Sequence, residues 1–175
     1  MLIRHGRTDW NKMKLIQGWS DVELNEEGIG EVKKFSESIK RNYWDYIISS
    51  DLSRARHTAD IISKYLNIPL LVTEKLRERN YGVFEGLDIE SLWNKNTQIN
   101  VISELPEGES YKNFYKRINC FWNTLTQDYI DKNLIVVTHK GVLHIICNII
   151  GITNEWDNLS FLEVDFGNTY NGKSK

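Results

Sequence analysis

The chain contains few cysteines and few prolines. Its two cysteines in 175 residues exclude a disulfide framework. Cys120 and Cys147 both fall on apolar faces of predicted helices, so we expect two reduced core thiols in a cytoplasmic protein. Only Pro69 and Pro106 occur, and no Pro/Gly-rich linker divides the chain. Residues 1–175 are therefore expected to form a single domain.

Other missing features exclude whole classes of function. The chain has 22 basic and 24 acidic residues, a net charge of −2, and no basic stripe of the kind that binds nucleic acid. Its longest apolar run, residues 143–152, is too short to cross a bilayer, and no signal peptide precedes residue 4. Metal-binding histidine or cysteine spacings and a Gly-rich nucleotide loop are absent. We therefore expect no cofactor, no metal, and no nucleic-acid or membrane partner.

Short β-like runs alternate with helical patterns along the chain. This alternation predicts an α/β fold with a mostly parallel central sheet flanked by helices on both faces. Asn25 is the expected N-cap of the first helix, and Gly151 is the expected C-cap of the last. The predicted strands are residues 1–4, 46–49, 70–73, 134–138 and 159–164, and the predicted helices are residues 25–40, 51 or 53 to 66, 109–129 and 142–150.

An Arg-His-Gly tripeptide, residues 4–6, ends the apolar run that begins the chain. A histidine just past a buried strand can project into the crevice where open α/β sheets bind ligands. Arg4 beside it supplies a permanent cation whose planar fork suits phosphate oxygens. An imidazole next to a guanidinium is what phosphoryl transfer through histidine needs. By itself, however, the tripeptide is equally compatible with a surface turn.

Three further blocks follow in order: Ser-Ser-Asp-Leu-Ser-Arg-Ala-Arg-His-Thr-Ala at 49–59, Leu-Arg-Glu-Arg-Asn-Tyr-Gly-Val-Phe-Glu-Gly at 76–86, and Thr-His-Lys-Gly at 138–141. The stretch that begins Gln17-Gly18-Trp19 and the Pro-Glu-Gly-Glu-Ser stretch at 106–110 fit the same pattern. From residue 2 to about residue 152, the ordered set resembles the histidine phosphatase superfamily, which has the phosphoglycerate mutase-like fold.

The resemblance implies that His5 is the nucleophile. A neutral imidazole nitrogen would attack phosphorus to form a phosphohistidine, which water would then hydrolyse. Arg4, Arg54 and His139 would surround the same phosphoryl group and stabilise the negative charge on its oxygens. The strands and helices predicted around these residues support this placement. Arg54 opens the helix after the second strand, and His139 lies between the fourth strand and the last helix.

Glu78 is the expected general acid, because the departing alkoxide needs a proton and a carboxyl group beside bound phosphate favours its protonated form. Glu74 and Glu85 compete for this role, but only Glu78 matches the acid of the resembled family. The resemblance also implies a phosphate-facing loop that contains Asn11, Gln17 and Gly18, with a turn lacking ligand contact as the alternative for Gln17.

Three positions depart from the family pattern. Arg7 stands where Glu or Gln is usual, and Lys140 stands where glycine is common. Both residues are expected either to add positive potential at the rim of the site, favouring a substrate with a second anionic group, or to be exposed surface cations. Family members also usually carry several more residues before Arg-His-Gly. A truncated chain, another start site and a weakened sheet centre all remain compatible with the sequence.

The main functional hypothesis is a metal-independent phosphomonoesterase that acts on a small phosphorylated metabolite. The alternatives are a phosphoglycerate mutase-type phosphoryl transfer and a non-catalytic module that binds phosphorylated ligands. Mutases of the resembled family carry longer insertions that cap the site and keep water out. Here only residues 87–105, a possible flap that includes a short predicted helix at 89–93, fill that place. Hydrolysis is therefore favoured, while the substrate and the oligomeric state are left open.

Overall fold

The computed structural model describes residues 1–88 and 104–165. Within these ranges five strands form one sheet: β1 (Leu2–Arg4), β2 (Tyr46–Ser50), β3 (Leu70–Thr73), β4 (Leu134–Thr138) and β5 (Phe161–Leu162). Their order across the sheet is β3-β2-β4-β1-β5, and only β5 runs antiparallel to its neighbour. The predicted strands are confirmed, although the last is two residues long instead of six.

The helices of the described residues are α1 (Asp9–Lys12), α2 (Glu26–Ser38), α3 (Ser53–Leu66), α4 (Tyr111–Asp128) and α5 (Lys140–Ile150). Asn25 caps α2 through a hydrogen bond from the Gly28 N–H, and Gly151 ends α5 with a φ of 72°, as predicted. The short helix α1 was not predicted, because its four residues carry no apolar period. Helix α5 begins two residues earlier than predicted, directly after His139.

The two faces of the sheet carry separate apolar layers, because side chains alternate along each strand. Leu2 and Val136 point to one face and pack against α4 and α5. Ile3 and Ile135 point to the other face and pack against α2 and α3. Both faces are thus covered, which confirms the predicted α/β architecture with helices on both sides of a mostly parallel sheet.

The register of the parallel strands aligns the functional end of the sheet. Arg4 at the end of β1 lies opposite Thr138 at the end of β4, and the backbone N–H of His5 donates to the Thr138 carbonyl at 3.0 Å. Strand β2 flanks β4 on its other side and ends at Ser50. Three neighbouring strands therefore deliver their carboxyl ends to one edge, where open α/β sheets bind ligands.

Two expectations about the chain need comment. Cys147 is buried in the core as predicted, but Cys120 is exposed, because it lies on the solvent side of α4. No helix within residues 1–88 and 104–165 is long and apolar enough to span a membrane. Of the predicted flap at 87–105, only residues 87, 88, 104 and 105 belong to the described part of the chain. The short helix predicted at 89–93 lies outside it.

Candidate active site

Two histidines from adjacent strand ends meet at this edge of the sheet. His5 follows β1 and His139 follows β4, and both are almost completely buried. Their ring centroids lie 5.2 Å apart, with the planes inclined at 58°. The sheet fixes both backbones, so the spacing of the rings is set by the pairing of β1 with β4. The resemblance implied that His5 and His139 lie at the same phosphoryl group, and the structure places the two rings next to each other.

The hydrogen bond of His5 defines which ring nitrogen can react. Its Nδ1 lies 2.7 Å from the Gly6 carbonyl oxygen, which can only accept, so Nδ1 carries the proton and donates. Nε2 therefore keeps its lone pair. Burial, followed by the nearby charges of Arg54 and Arg4, places the pKa of His5 well below its ordinary value of 6.5. The ring is neutral at neutral pH, as a nitrogen nucleophile must be.

His139 is held from the neighbouring strand. Its Nε2 lies 2.9 Å from the hydroxyl oxygen of Ser50, the last residue of β2. Burial and then the charge of Arg54 lower the pKa of His139 far below 6.5, so this ring is also neutral without a ligand. Its Nδ1 is buried and has no hydrogen-bond partner among the described residues. A ligand oxygen is a suitable partner for that atom.

Arg4 and Arg54 are anchored by main-chain carbonyls at one end of their guanidinium groups. Arg4 Nη1 donates to Trp156 O at 2.8 Å. Arg54, the second residue of α3, donates to Ser20 O at 2.9 Å and to Gly18 O at 2.7 Å. Burial lowers the pKa of Arg54 to about 10, so its guanidinium is still charged at neutral pH. In both arginines Nε is buried and has no hydrogen-bond partner in residues 1–88 and 104–165.

Glu78 is the carboxylate that enters the site. It is 8% exposed, and its two oxygens accept the backbone N–H groups of Arg79 at 2.9 Å and Gly141 at 3.0 Å. The competing carboxylates lie elsewhere. Glu74 is exposed at the start of a 3₁₀ turn. Glu85 accepts hydrogen bonds from the backbone N–H groups of Trp19, Ser20 and Tyr81 and from the Ser20 hydroxyl, so it orders the neighbouring loop.

Arg4, His5, Arg54 and Glu78 line a cavity of about 540 Å³, whereas His139 lies against His5 and is not among the lining residues. One part of the cavity is lined by most of the predicted residues, and a second part, called the outer part, is lined by residues of α4 and α5. The residues that line it are Arg4, His5, Asn11, Leu15, Ile16, Gln17, Gly18, Arg54, Glu78, Arg79, Tyr81, Tyr111, Phe114, Lys140, Gly141, His144, Ile145 and Asn148.

The predicted phosphate-facing loop does line the cavity. Asn11 is nonetheless committed to local structure, because its Oδ1 accepts from the backbone N–H and hydroxyl of Thr8 and from Asn158 Nδ2. Gln17 is buried, and its Oε1 has no hydrogen-bond partner among the described residues. Gly18 adopts a φ of 52°, and its carbonyl oxygen receives the Arg54 hydrogen bond. Of these groups, Gln17 Oε1 is the acceptor left open to a ligand, whereas Asn11 Oδ1 and the Gly18 carbonyl oxygen are already paired.

Arg7 and Lys140, two of the three departures from the family pattern, lie in different places. Arg7 does not line the cavity, because its guanidinium pairs with Glu27 at 2.9 Å and Glu31 at 3.2 Å on the surface of α2. Of the two alternatives given for Arg7, the structure therefore shows the surface cation. Lys140 lines the cavity and is exposed at the start of α5. Its ammonium has no hydrogen bond or ion pair to the described residues.

Several lining residues were not predicted from the sequence. His144 lines the cavity, as does Asn148. Lys140, His144 and Asn148 recur every four residues, and this spacing on one face of a helix was a usable signal. Arg79 and Tyr111 also line the cavity, and no period in the sequence indicates that they do.

The arrangement can carry out a specific kind of chemistry. It places a neutral imidazole nitrogen beside two buried guanidinium groups, with a second imidazole and a carboxyl group in reach of the same space. Such donors suit the oxygens of a phosphoryl group, and the carboxyl group can exchange a proton with a leaving group or with water. Within the described ranges, no three or more histidine, cysteine or acidic side chains group as metal ligands.

Comparisons with known proteins agree with this reading of the site. The sequence model of the histidine phosphatase superfamily, branch 1, matches residues 1–169. The chain is 33% identical over 143 residues to the uncharacterized phosphatase PhoE of Bacillus subtilis (strain 168), covering 82% of this chain and 72% of PhoE. It is 31% identical over 204 residues to the 2,3-bisphosphoglycerate-dependent phosphoglycerate mutase of Buchnera aphidicola subsp. Schizaphis graminum (strain Sg), covering 94% and 87% of the two chains.

Among solved structures, the alpha-ribazole phosphatase from Shigella flexneri superposes with a TM-score of 0.73 and 27% sequence identity. The match covers 87% of this chain and 79% of that protein. The family match spans nearly the whole sequence, and the fold and the paired histidines agree with it. The chain belongs to the histidine phosphatase superfamily, branch 1.

Proposed function

We propose that this phosphatase hydrolyses the phosphomonoester of a small metabolite through a phosphohistidine formed on His5. The observation that carries the proposal is a set of four buried polar atoms without hydrogen-bond partners among the described residues: Nε of Arg4, Nε of Arg54, Nδ1 of His139 and Oε1 of Gln17. Leaving such atoms unpaired is costly. Three of them are nitrogens that can donate to the oxygens of one phosphoryl group next to His5 Nε2.

In the first step His5 Nε2 attacks phosphorus, a P–N bond forms and the P–O bond to the alcohol breaks. Glu78 donates its proton to the departing oxygen, so the alcohol leaves neutral and Glu78 becomes a carboxylate. In the second step that carboxylate accepts a proton from water while the water oxygen attacks phosphorus and the P–N bond breaks. Inorganic phosphate leaves, and both His5 and Glu78 return to their starting forms.

The electrostatic stabilisation comes from side chains of this chain. Arg4 and Arg54 are charged and lie against a low-dielectric interior, where they stabilise negative charge on the transferring group more strongly than they would in water. His139 adds a hydrogen-bond donor and takes up positive charge more readily once the phosphoryl group is bound. We propose that these three groups make a divalent metal unnecessary, in line with the expectation of a metal-independent reaction.

The outer part of the cavity is assigned to the alcohol portion of the substrate. Lys140, His144 and Asn148 form a polar stripe on α5, and Tyr111 and Phe114 lie on α4. Lys140 has no acidic partner within the described part of the chain, so we propose that it attracts a second anionic group on the substrate. The alcohol is accordingly small, polar and acidic.

A cytoplasmic location is proposed on the two cysteines, which are both free thiols.

Phosphoglycerate mutases are among the relatives, so phosphoryl return to the substrate is the competing function. One assay separates the two. Purified protein is offered a panel of phosphomonoesters, and released inorganic phosphate is measured beside the interconversion of 3- and 2-phosphoglycerate. The proposal expects phosphate release to exceed interconversion by at least about tenfold. Interconversion without release identifies a mutase, and neither reaction, together with tight phosphate binding, identifies a binding module.

A further inference from the structure

The main chain around Glu78 is held by an ion pair that lies outside the cavity. Arg117 is on α4, and Glu109 belongs to the Pro-Glu-Gly-Glu-Ser block just before that helix. Arg117 Nε lies 3.0 Å from Glu109 Oε1, and Nη2 lies 2.7 Å from Oε2. The contact is bidentate, a geometry that fixes the plane of a guanidinium group as well as its position.

The same guanidinium group donates to three main-chain carbonyl oxygens within residues 75–78. Arg117 Nη1 donates to Lys75 O and to Arg77 O, both at 2.9 Å. Nη2 donates to Glu78 O at 3.3 Å. Arg117 therefore joins the carboxylate of Glu109 to the segment that carries Glu78.

Glu109 holds the other side of Glu78 with its own backbone. Its N–H donates to Asn80 O at 2.8 Å, and its carbonyl oxygen accepts from Arg79 Nε at 2.9 Å. Residues 75–80 are thus fixed on both sides of Glu78 by Glu109 and Arg117. The side chains of the pair are only 14% and 20% exposed, so water competes weakly for these contacts.

Neither residue of the pair lines the cavity, so neither can touch a substrate there. Their effect on the reaction must pass through Glu78. The carboxylate of Glu78 rests on two backbone N–H groups, one from Arg79 in the fixed segment and one from Gly141 at the start of α5. A shift of the segment against α5 would separate those two donors and move the carboxyl group.

Proton transfer is sensitive to such a shift. A general acid must lie about 2.6–3.2 Å from the atom it protonates. A misplacement of about 1 Å can reduce the rate by about 100-fold. Residues 77–80 have no regular secondary structure, so contacts from outside the segment are needed to place the Glu78 carboxyl group this accurately. The pair supplies five such contacts to residues 75–80.

We propose that Arg117, oriented by Glu109, is a positioning residue for proton transfer by Glu78. The inference rests on the proposed role of Glu78 as the general acid. The inference also gives a role to the Pro-Glu-Gly-Glu-Ser block, whose two carboxylates do not line the cavity. The block supplies the carboxylate that holds Arg117 in place.

The test compares kcat/KM for two leaving groups, because kcat/KM reports the step that releases the alcohol and not the later attack of water on the phosphohistidine. Glycerol 3-phosphate has an alkoxide leaving group that needs a proton, and p-nitrophenyl phosphate has one that hardly needs it. Arg117→Met should lower kcat/KM for glycerol 3-phosphate about 10- to 100-fold and lower it less than about threefold for p-nitrophenyl phosphate. Lys116→Met, an exposed neighbour on the same helix, is the matched control and should leave both reactions unchanged.

A second comparison addresses positioning directly. In a Glu78→Gln background, Arg117→Met should cause little additional loss, because the proton it helps to place is already gone. Thermal melting checks that each variant is folded, and Glu109→Gln replaces Arg117→Met if the latter does not fold. Glu109→Gln should show the same dependence on the leaving group with a smaller amplitude.

Two results would overturn the inference. One is an equal loss of kcat/KM for both substrates in Arg117→Met or Glu109→Gln, and the other is a loss of kcat/KM that adds fully to that of Glu78→Gln. If Glu78→Gln itself slows both substrates equally, the assignment of the general acid fails and the inference fails with it. If Glu78→Gln discriminates between leaving groups and the Arg117 variant does not, the proposed function stands and only the positioning role is lost.

Discussion

The rings of His5 and His139 lie 5.2 Å apart although their residues are separated by most of the chain. Each residue follows directly after a parallel strand, and the two strands are paired. The distance between the rings is therefore a property of the sheet. Neither histidine depends on a loop for its position.

The two buried rings should make stability depend on pH. In the unfolded chain a histidine binds a proton below about pH 6.5, whereas burial keeps the folded pKa values of His5 and His139 well below this. The unfolded state therefore binds more protons as the pH falls below 6.5, and stability decreases. Each ring contributes up to about 1.4 kcal/mol per pH unit.

Urea unfolding between pH 7.5 and 5.0, in a buffer without phosphate, measures this slope. The double variant His5→Gln/His139→Gln should have a clearly flatter profile over that range. His57→Gln, at an exposed position on α3, is the control for the loss of an imidazole and should keep the wild-type slope. A double variant as steep as the wild type would show that the two rings are not held neutral in the folded protein.

Glu78 and Arg54 should differ in their dependence on the leaving group. Glu78→Gln removes the transferable proton but keeps the shape of the side chain, so kcat/KM for an alkyl phosphate, which reports the step that releases the alcohol, should fall about 10²–10⁴-fold. The loss should shrink for p-nitrophenyl phosphate. Arg54→Ala should slow both substrates alike, because it acts on phosphoryl oxygens that both share. Equal losses in Glu78→Gln would direct attention to Glu74 or Glu85.

Lys140 should discriminate between substrates that differ by one carboxylate. 3-Phosphoglycerate differs from glycerol 3-phosphate in carrying a carboxylate where the latter has a hydroxymethyl group. Lys140→Met should raise KM for 3-phosphoglycerate about three- to tenfold, as expected for a partly exposed ion pair, and hardly affect glycerol 3-phosphate. Lys33→Met removes the same charge from an exposed position on α2 that does not line the cavity. An equal rise for both substrates would mean that Lys140 contacts the phosphoryl group.

Much of the site could be predicted because its residues follow strongly apolar strands. The run at residues 134–138 is strongly apolar, so the strand and the location of His139 after it could be predicted. All five residues of this strand are buried. The ordered motif blocks then identified Arg54 and Glu78. The start of α5 was misjudged by two residues, because Lys140 and Gly141 are polar or small and do not extend the apolar pattern.

The outer cavity was less predictable because it depends on how helices pack. Phe114 is both buried in the core and in contact with the cavity. Arg7 could lie at the rim of the site or on the surface, and the structure pairs it with Glu27 and Glu31 of α2. Such partners are more than a dozen residues away in sequence, and no local pattern reveals which of two surfaces a long cationic side chain will choose.

The central claim is that the phosphoryl group passes through His5. Rapid mixing with a ³²P-labelled substrate, quenching during turnover and isolating the labelled fragment test it most directly. The account predicts acid-labile label on the fragment that contains His5 in the wild type and none in folded His5→Ala, which should also be inactive. Label on another fragment, or turnover with no acid-labile label at any quench time, would contradict the account.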